Sequence, residues 1–136
     1  MASNENPKTV LLSGDPVQYE DVLSGEASVR PGTFVEYSAE GVEAGAAKTP
    51  RMVRERDSIG AGIDEEIEPE DQVVFYVHRR GDHVYALCTG DISRGDKLEA
   101  NADGKLVPQD AGVAIATALE SVDTNSDVAR IRAEIV

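Results

Sequence analysis

The sequence predicts an all-β fold, a small β-barrel or β-sandwich built from short antiparallel strands. Three observations predict this class. Residues 72–78 contain the run VVFYV, residues 128–136 alternate between apolar and charged side chains, and Gly-Asp or Asp-Gly pairs separate the short apolar runs of the C-terminal half. Many short strands at regular spacing, with turn residues between them, are typical of small barrels and sandwiches.

The N-terminal half predicts shorter and less regular elements. Residues 1–8 are polar and contain Pro7, so we expect a flexible arm, followed by a single β-domain at residues 9–136. Residues 9–12 are a short apolar run, and residues 17–23 are ambiguous. We expect a strand at residues 33–37, a loop at 39–50 and a strand-like segment at 52–56. A flexible connection at residues 57–62 and a solvated acidic loop at 63–71 should follow.

The C-terminal half carries the clearer strand signals. Residues 72–78 and 83–88 predict a β-hairpin through a Gly-containing turn, and Asp103-Gly104 predicts a second hairpin. We also expect residues 111–122 to form a strand, in which three alanines lie opposite an apolar face made by Val113, Ile115, Thr117 and Leu119.

The last strand, at residues 128–136, is expected to place one face in the core and the other in water or against a partner. Apolar and charged side chains alternate along it without interruption, and such alternation is typical of a half-buried strand. The inward set is Ala129, Ile131, Ala133 and Ile135, and the outward set is Arg130, Arg132 and Glu134.

Composition predicts a core of Val, Ile, Leu and Ala. Of the 136 residues 40% are hydrophobic, but only 4% are aromatic and none is Trp. The single cysteine, Cys88, excludes an internal disulfide framework, and one thiol cannot form a zinc site by itself. Strand alternation puts Cys88 on the same face as Val84 and Ala86, so we expect a buried, unreactive thiol.

The charge is strongly negative, with a formal net value of −13 from 26 acidic and 13 basic residues. This argues against a nucleic-acid partner and against binding to an anionic membrane. The acidity fits either a surface complementary to a basic partner or a protein from a high-salt cytoplasm. We favour the second explanation because the acids are spread along the chain and only four basic residues are lysines.

No targeting or membrane-spanning segment is predicted. The N-terminus lacks a basic stretch followed by an apolar one, and the longest apolar run, residues 111–119, is too short to cross a bilayer. We therefore expect a protein that is made in the cytoplasm and is not a membrane protein.

Two patterns suggest metal ligands, and both have simpler explanations. His78 and His83 flank the predicted hairpin turn, where only Asp82 could add a third ligand, and a closed zinc site needs four. The segment from Glu99 to Asp110 faintly imitates a calcium loop, but it starts with Glu, and residues 106–108 are unsuited to begin a helix. We expect surface histidines, a hairpin turn and no metal.

Arg-Gly-Asp occurs twice, at residues 80–82 and 94–96. The tripeptide suggests adhesion, but Gly supplies positive φ and Asp caps its own turn, so tight turns between strands use the same residues. We expect structural turns. No serine, histidine or carboxylate pair stands in a context that indicates nucleophilic or acid–base catalysis, so we expect neither an enzyme nor a cofactor.

Lys48, Arg51, Arg54 and Arg56 form the one basic concentration in this acidic chain. Arginine pairs with carboxylates in a bidentate geometry at interfaces, so these residues are candidates for contact with a capsid or another partner. Local pairing with Glu55 and neighbouring acids is the other interpretation.

The order of motifs in the chain resembles that of a known family. Residues 90–98 contain two Gly-Asp pairs before Leu98, Asp103-Gly104-Lys105-Leu106 follows as a short hairpin, and an Ala/Gly-rich segment leads to the final alternating strand. Upstream, residues 48–53 (KTPRMV) look like the entry into a first long strand. Together these pieces resemble the small head decoration, or capsid cement, proteins of tailed viruses, over roughly two thirds of the chain.

The resemblance implies a non-enzymatic structural protein on the outer surface of a virion. It would decorate and stabilise the shell of the major capsid protein, and it would be a homo-oligomer, most simply a trimer. The acidic composition adds the expectation of a halophilic virus. The alternative is a β-module that binds a host receptor or glycan through its turns.

Overall fold

The chain is described by a computed structural model over residues 7–56 and 60–136. Within these residues it forms eleven β-strands and no helix, which confirms the predicted all-β class. Residues 1–6 of the predicted arm and residues 57–59 of the predicted connection lie outside the described part. The strands are β1 (Leu11–Ser13), β2 (Val17–Val22), β3 (Val35–Tyr37), β4 (Val42–Ala44), β5 (Arg51–Val53), β6 (Gln72–Val77), β7 (His83–Ile92), β8 (Lys97–Ala100), β9 (Leu106–Pro108), β10 (Ala116–Ala118) and β11 (Val122–Ile135).

Five strands close into a small barrel. The largest sheet has the order β1-β7-β11-β10-β8-β9, and β9 also pairs with β7 in parallel at Cys88 and Leu106. The ring therefore runs β7-β11-β10-β8-β9 and back to β7, and β1 pairs antiparallel with the beginning of β7. The predicted hairpin at Asp103-Gly104 is confirmed as the antiparallel pair β8–β9.

The barrel interior accepts small side chains opposite larger ones. Ile131 of β11 pairs with Ala86, and Ala133 pairs with Val84, and all four side chains are buried. A ring of only five strands encloses little space, so the interior can hold only a few bulky side chains. The predicted faces of the last strand are confirmed, because Ile131, Ala133 and Ile135 are buried while Arg130, Arg132 and Glu134 stay partly exposed.

The hairpin predicted between residues 72–78 and 83–88 is wrong. Both segments are strands, but β6 pairs with β2 and β5, whereas β7 belongs to the barrel. The chain turns a corner at residues 78–82, where the N–H of His78 donates to the carbonyl of Pro50 (3.0 Å) and the N–H of Gly81 donates to that of Ile135 (2.8 Å). These two long-range bonds direct the chain from one sheet into the other.

Two further assignments need correction. The predicted loop at residues 39–50 contains β4, which pairs with β3.

The predicted strand at residues 111–122 is shorter than expected. Only Ala116–Ala118 and the start of β11 are strand. The inward side chains of β10 are the alanines, while Val113 is 48% exposed. The crowded interior explains why the alanines of β10 face inward, since small side chains fit against β8 and β11. Ile115, a member of the predicted apolar face, is buried just before this strand.

The remaining strands surround a second hydrophobic cluster beside the barrel. Strands β2, β6 and β5 form a three-stranded antiparallel sheet, which we call the side sheet. Isolated bridges from Phe34 to Met52 and from Leu23 to Val42 connect it to the β3–β4 pair. The cluster that they enclose consists of Leu23, Val29, Val35, Val42, Val53, Ile67, Val73 and Phe75.

The side sheet has two distinct ends. Val17, Val77 and Arg51 lie side by side at one end, and Val22 lies beside Gln72 at the other. A six-residue strand extends about 20 Å at roughly 3.3 Å per residue. Residues at the two ends are therefore well separated on the molecular surface.

Candidate docking surface

The structure distributes the four predicted basic residues over different surroundings. Successive side chains of a strand point to opposite faces, so Arg51 lies on one face of the side sheet and Met52 on the other. Lys48 is exposed in the loop before β5, and Arg51 begins that strand. Arg54 and Arg56 follow its end and are both half-buried.

Arg51 lies over an exposed aromatic ring. Its guanidinium carbon is 4.7 Å from the centre of the Tyr37 ring, and its Nη1 is 3.5 Å from Oε1 of Glu36. The side chain of Arg51 remains 23% exposed. This arrangement holds the guanidinium in place at the surface while leaving part of it open to a partner.

The side chain of Arg54 makes its contacts within the chain. Its Nη1 donates to Oε1 of Gln18 (2.7 Å), its Nε donates to the carbonyl of Glu55 (3.1 Å), and it lies 5.3 Å from the centre of the Tyr76 ring. The carboxylate of Glu55 is buried and also accepts the N–H of Val10 at 3.1 Å. Local pairing, the second interpretation given above, therefore describes Arg54.

Arg56 lies three residues beyond the end of β5. The residue is half-buried, and its Nε is buried without a hydrogen-bond partner within the described residues. Lys48 is exposed and the side chain of Arg51 is 23% exposed, so these two members of the basic set are placed to meet a partner.

Exposed tyrosines accompany Arg51. The ring centres of Tyr19 and Tyr37 lie 6.0 and 6.1 Å from that of Phe75, which is fully buried. Tyr19 is 48% exposed, Tyr37 is 54% exposed, and Val17 on the same face of β2 is 39% exposed. We call Val17, Tyr19, Tyr37 and Arg51 the aromatic patch.

The aromatic patch has the composition of a binding surface. Tyrosine and arginine are enriched among residues that dominate binding energy, and exposed apolar clusters mark interaction sites. This patch is not identified in the sequence analysis, because no secondary structure is assigned there to residues 17–23. Period-two alternation over that segment would have placed Val17 and Tyr19 on one face.

A second pair of arginines lies at the same end of the side sheet as Lys48. The hydrogen bond from His78 to Pro50 brings the turn at residues 79–82 beside the loop before β5. Arg79 and Arg80 are exposed in that turn. We call Lys48, Arg79 and Arg80 the basic end; sequence reasoning missed it because its parts are about thirty residues apart in the chain.

The opposite end of the side sheet carries an acidic pocket. Glu26, Glu40 and Glu70 line a cavity of about 530 Å³ together with the apolar side chains of Val22 and Pro69. All three glutamates are exposed, and Val22 is 44% exposed. We call these five residues the acidic pocket.

The Arg-Gly-Asp segments are structural turns, as predicted. Asp82 is only 4% exposed, and its carboxylate accepts the N–H groups of Arg79 (3.1 Å) and Asp15 (3.3 Å). Asp96 accepts the N–H of Ser93 at 2.9 Å, and Nη1 of Arg94 donates to the carbonyl of Leu119 at 2.6 Å.

The two histidines have separate partners. Nδ1 of His78 is 3.2 Å from Oδ2 of Asp82, and Nε2 of His83 is 3.3 Å from Oε2 of Glu134. The expectation of two surface histidines is wrong for His78, whose side chain is fully buried. Burial lowers the pKa of His78, and the hydrogen bond and charge of Asp82 oppose this only in part.

The remaining candidate groups are buried or form hydrogen bonds within the chain. The carboxylate of Glu99 accepts the N–H groups of Asp110 (3.3 Å) and Gly112 (3.0 Å), so it organises the loop before β10. Cys88 is buried, as predicted, and burial raises its pKa to about 11. Within the described residues, no group of three or more His, Cys, Asp or Glu is placed to hold a metal.

Comparisons with known proteins give a likeness in fold. No family model matches the chain, and no curated protein matches it. Residues 7–56 and 60–136 contain no helix that is long and apolar enough to cross a membrane. Among solved structures, the chain is similar to the head fiber gp8.5 N base of bacteriophage phi29, with a TM-score of 0.57 and 14% identity, over 88% of this chain and 93% of that one.

Proposed function

We propose that this protein is a non-enzymatic structural component of a virus particle, which decorates the outer surface of the capsid shell by binding the major capsid protein. The observation that carries the proposal is the aromatic patch, an exposed group of Tyr19, Val17 and Arg51 on the side sheet with Tyr37 on the neighbouring strand β3. Two likenesses support it. The fold is similar to that of a phage head fiber base, and the turn motifs resemble those of head decoration proteins.

The aromatic patch can supply both affinity and orientation. Tyr19 and Tyr37 pack against the buried ring of Phe75, so their rings are already ordered before binding and lose little conformational entropy on docking. Arg51 can form bidentate hydrogen bonds with a carboxylate of the shell. Lys48 lies in the preceding loop and adds a positive charge nearby.

The action implied is mechanical. A protein that contacts two or more neighbouring capsid subunits buries surface between them, and this buried area resists separation of the subunits when the shell is under internal pressure. Such a site exists only where subunits meet. We therefore expect binding to assembled shells and not to the free capsid subunit, with multiple attachment through an oligomer raising the apparent affinity.

A binding role is favoured over catalysis by what the polar groups do. Asp82, His78 and Glu99 hold turns and corners together, and Cys88 is a buried thiol with a raised pKa. Binding to a receptor through the Arg-Gly-Asp turns is less favoured, since the carboxylate of Asp82 is buried and that of Asp96 caps its own turn.

Co-sedimentation with purified capsid shells tests the proposal. We expect the wild-type protein to sediment with shells and to remain unbound with free subunits. Tyr19→Ser/Tyr37→Ser should bind at least about tenfold more weakly, because each such residue can contribute 2 kcal/mol or more. The matched control is Val113→Ser/Val128→Ser, which removes two other exposed apolar side chains and should bind normally.

Circular dichroism and thermal unfolding must show that each variant is folded, since Tyr19 and Tyr37 contact Phe75. Equal binding by the patch variant and the control would remove the aromatic patch from the proposal. Failure of the wild-type protein to bind shells would overturn the decoration function itself.

A further inference from the structure

The side sheet is electrically polarised along its strands. Lys48, Arg79 and Arg80 lie at the end where β6 finishes and β5 begins, and all three are exposed. Glu26, Glu40 and Glu70 lie at the opposite end, about 20 Å away along a six-residue strand. In a chain of net charge −13 an exposed group of basic residues is unusual.

The turn that presents Arg79 and Arg80 is rigid. Asp82 accepts the N–H of Arg79 at 3.1 Å, and its own N–H donates to the carbonyl of Arg79 at 3.0 Å. Gly81 is fastened to Ile135 of the barrel, and the buried imidazole of His78 contacts the same Asp82 carboxylate. The two guanidinium groups extend from this turn and form no ion pair within the described part of the chain.

The acidic pocket has the chemistry to receive an arginine side chain. Val22 and Pro69 provide an apolar surface for the aliphatic stem, and three glutamates line the same cavity. A charge that is partly enclosed among several carboxylates interacts more strongly than an isolated exposed ion pair. The pocket is open to the outside, so a side chain from another molecule can enter it.

We propose that a second copy of this chain docks head to tail, with Arg79 and Arg80 of one copy entering the acidic pocket of the next. Charge complementarity between the two ends of the same sheet selects this occupant. Two copies of net charge −13 repel each other in most orientations, and the contact of basic end with acidic pocket brings opposite charges together. This inference goes beyond the shell-binding function and does not require it.

Head-to-tail contact has a consequence for assembly. The two contacting surfaces are different, so each copy still has one free basic end and one free acidic pocket after pairing. Repetition of the contact gives a closed ring when the rotation between copies permits it.

Sedimentation velocity of the full chain tests the contact. The experiment is run at about 0.15 M salt; if the protein is unfolded there, the salt concentration is raised only until it folds. We expect the wild type to associate. Arg79→Glu/Arg80→Glu and Glu40→Lys/Glu70→Lys should each weaken association at least tenfold, because each places like charges in the contact. The variant that combines all four substitutions should associate again, since it restores opposite charges with their positions exchanged.

Two controls separate the contact from the effect of net charge. Lys97→Glu/Lys105→Glu changes the charge as the basic-end variant does, and Asp110→Lys/Asp127→Lys changes it as the acidic-pocket variant does. All four residues lie on the barrel strands or their loops, and these variants should associate like the wild type.

Three results would overturn the proposal. They are a monomeric wild type, normal association of the variant altered at only the basic end or only the acidic pocket, and failure of the variant with all four substitutions to associate. Thermal unfolding of every variant establishes that it is folded, and a variant that fails is replaced by Arg80→Glu or Glu40→Lys alone. Shell binding is measured separately, so loss of this contact and loss of docking remain distinguishable.

Discussion

The buried imidazole of His78 lies 3.2 Å from the carboxylate of Asp82, at the corner where the chain leaves β6 and enters β7. Asp82 also accepts the N–H groups of Arg79 and Asp15, so one carboxylate joins the histidine, the arginine turn and the loop before β2. Nε2 of His78 is buried and has no hydrogen-bond partner within the described residues. The pair therefore couples the side sheet to the barrel through a group that can gain a proton.

Acidification should destabilise the protein through His78. Burial lowers the folded-state pKa of His78 below the ordinary value of 6.5, so between these two values the unfolded chain binds more protons than the folded one. This contribution to stability is complete above pH 6.5 and is lost as the pH falls toward the folded-state pKa. The loss is at most about 1.4 kcal/mol per pH unit, measured by urea unfolding between pH 7.5 and about 5.

His78→Gln isolates this effect, because glutamine can still donate a hydrogen bond to Asp82 but does not titrate. The free energy of unfolding of this variant should fall less steeply with pH than that of the wild type. His83→Gln, which replaces the other, partly exposed histidine, is the matched control. Identical slopes for His78→Gln and the wild type would show that His78 does not carry the acid sensitivity.

Adjacent positions on β11 should respond very differently to substitution. Ile131 is fully buried against Ala86, so Ile131→Ala should cost about 2–5 kcal/mol, and Ile131→Asp should unfold the chain. Arg132 pairs with Glu120 at the surface (3.3 Å), so Arg132→Ser should cost no more than about 1 kcal/mol. Urea unfolding followed by circular dichroism measures both; similar losses would mean that the faces of β11 are assigned incorrectly.

Gly104 should be intolerant of any side chain. The φ of Gly104 is +76°, and an added Cβ would overlap the carbonyl oxygen of Phe34. The N–H of Phe34 also donates to the carbonyl of Gly104 at 2.8 Å, so the two segments are held close together. Gly104→Ala should therefore lower the free energy of unfolding by roughly 3 kcal/mol, from backbone strain and displacement of the Phe34 segment.

Gly81→Ala is the matched control for Gly104→Ala. Gly81 has φ +93° and no atoms within 4 Å of an added Cβ, so only the backbone strain of about 1 kcal/mol should appear. A loss at Gly104 no larger than that at Gly81 would contradict the close approach to Phe34.

Salt should stabilise the folded chain if its acidity reflects a high-salt environment. The net charge of −13 is poorly screened at 0.1 M salt, where the Debye length is about 10 Å, and well screened at 1 M, where it is about 3 Å. We expect the thermal midpoint to rise by several degrees over this range, with a smaller rise for Asp110→Lys/Asp127→Lys. An unchanged midpoint would remove the halophilic hypothesis.

The sequence alone determines local features whose physics is local. Alternation along β11 identifies Ile131 as inward and Arg132 as outward, because a one-residue shift would expose the whole apolar set. Asp103-Gly104 specifies its own hairpin, since glycine accepts the positive φ that the turn needs. The all-β class follows from several such signals that agree with one another.

The candidate site could be predicted only in part. Arg51 was recognisable as part of a basic segment, but its neighbours Tyr37 and Tyr19 belong to other strands. Arg54 belongs to the same segment and yet is used internally, because the strand period turns it toward Tyr76 and Gln18. Charge in the sequence indicates where arginines are, and packing decides which of them stay available.

Only the tertiary structure decided how the strands pair. Residues 72–78 and 83–88 have every local property of a hairpin, but long-range bonds from His78 to Pro50 and from Gly81 to Ile135 send them into different sheets. Those same bonds bring Arg79 and Arg80 beside Lys48 and create the basic end. A strand offers hydrogen bonds along both edges, and its own sequence does not specify which distant segment will satisfy them.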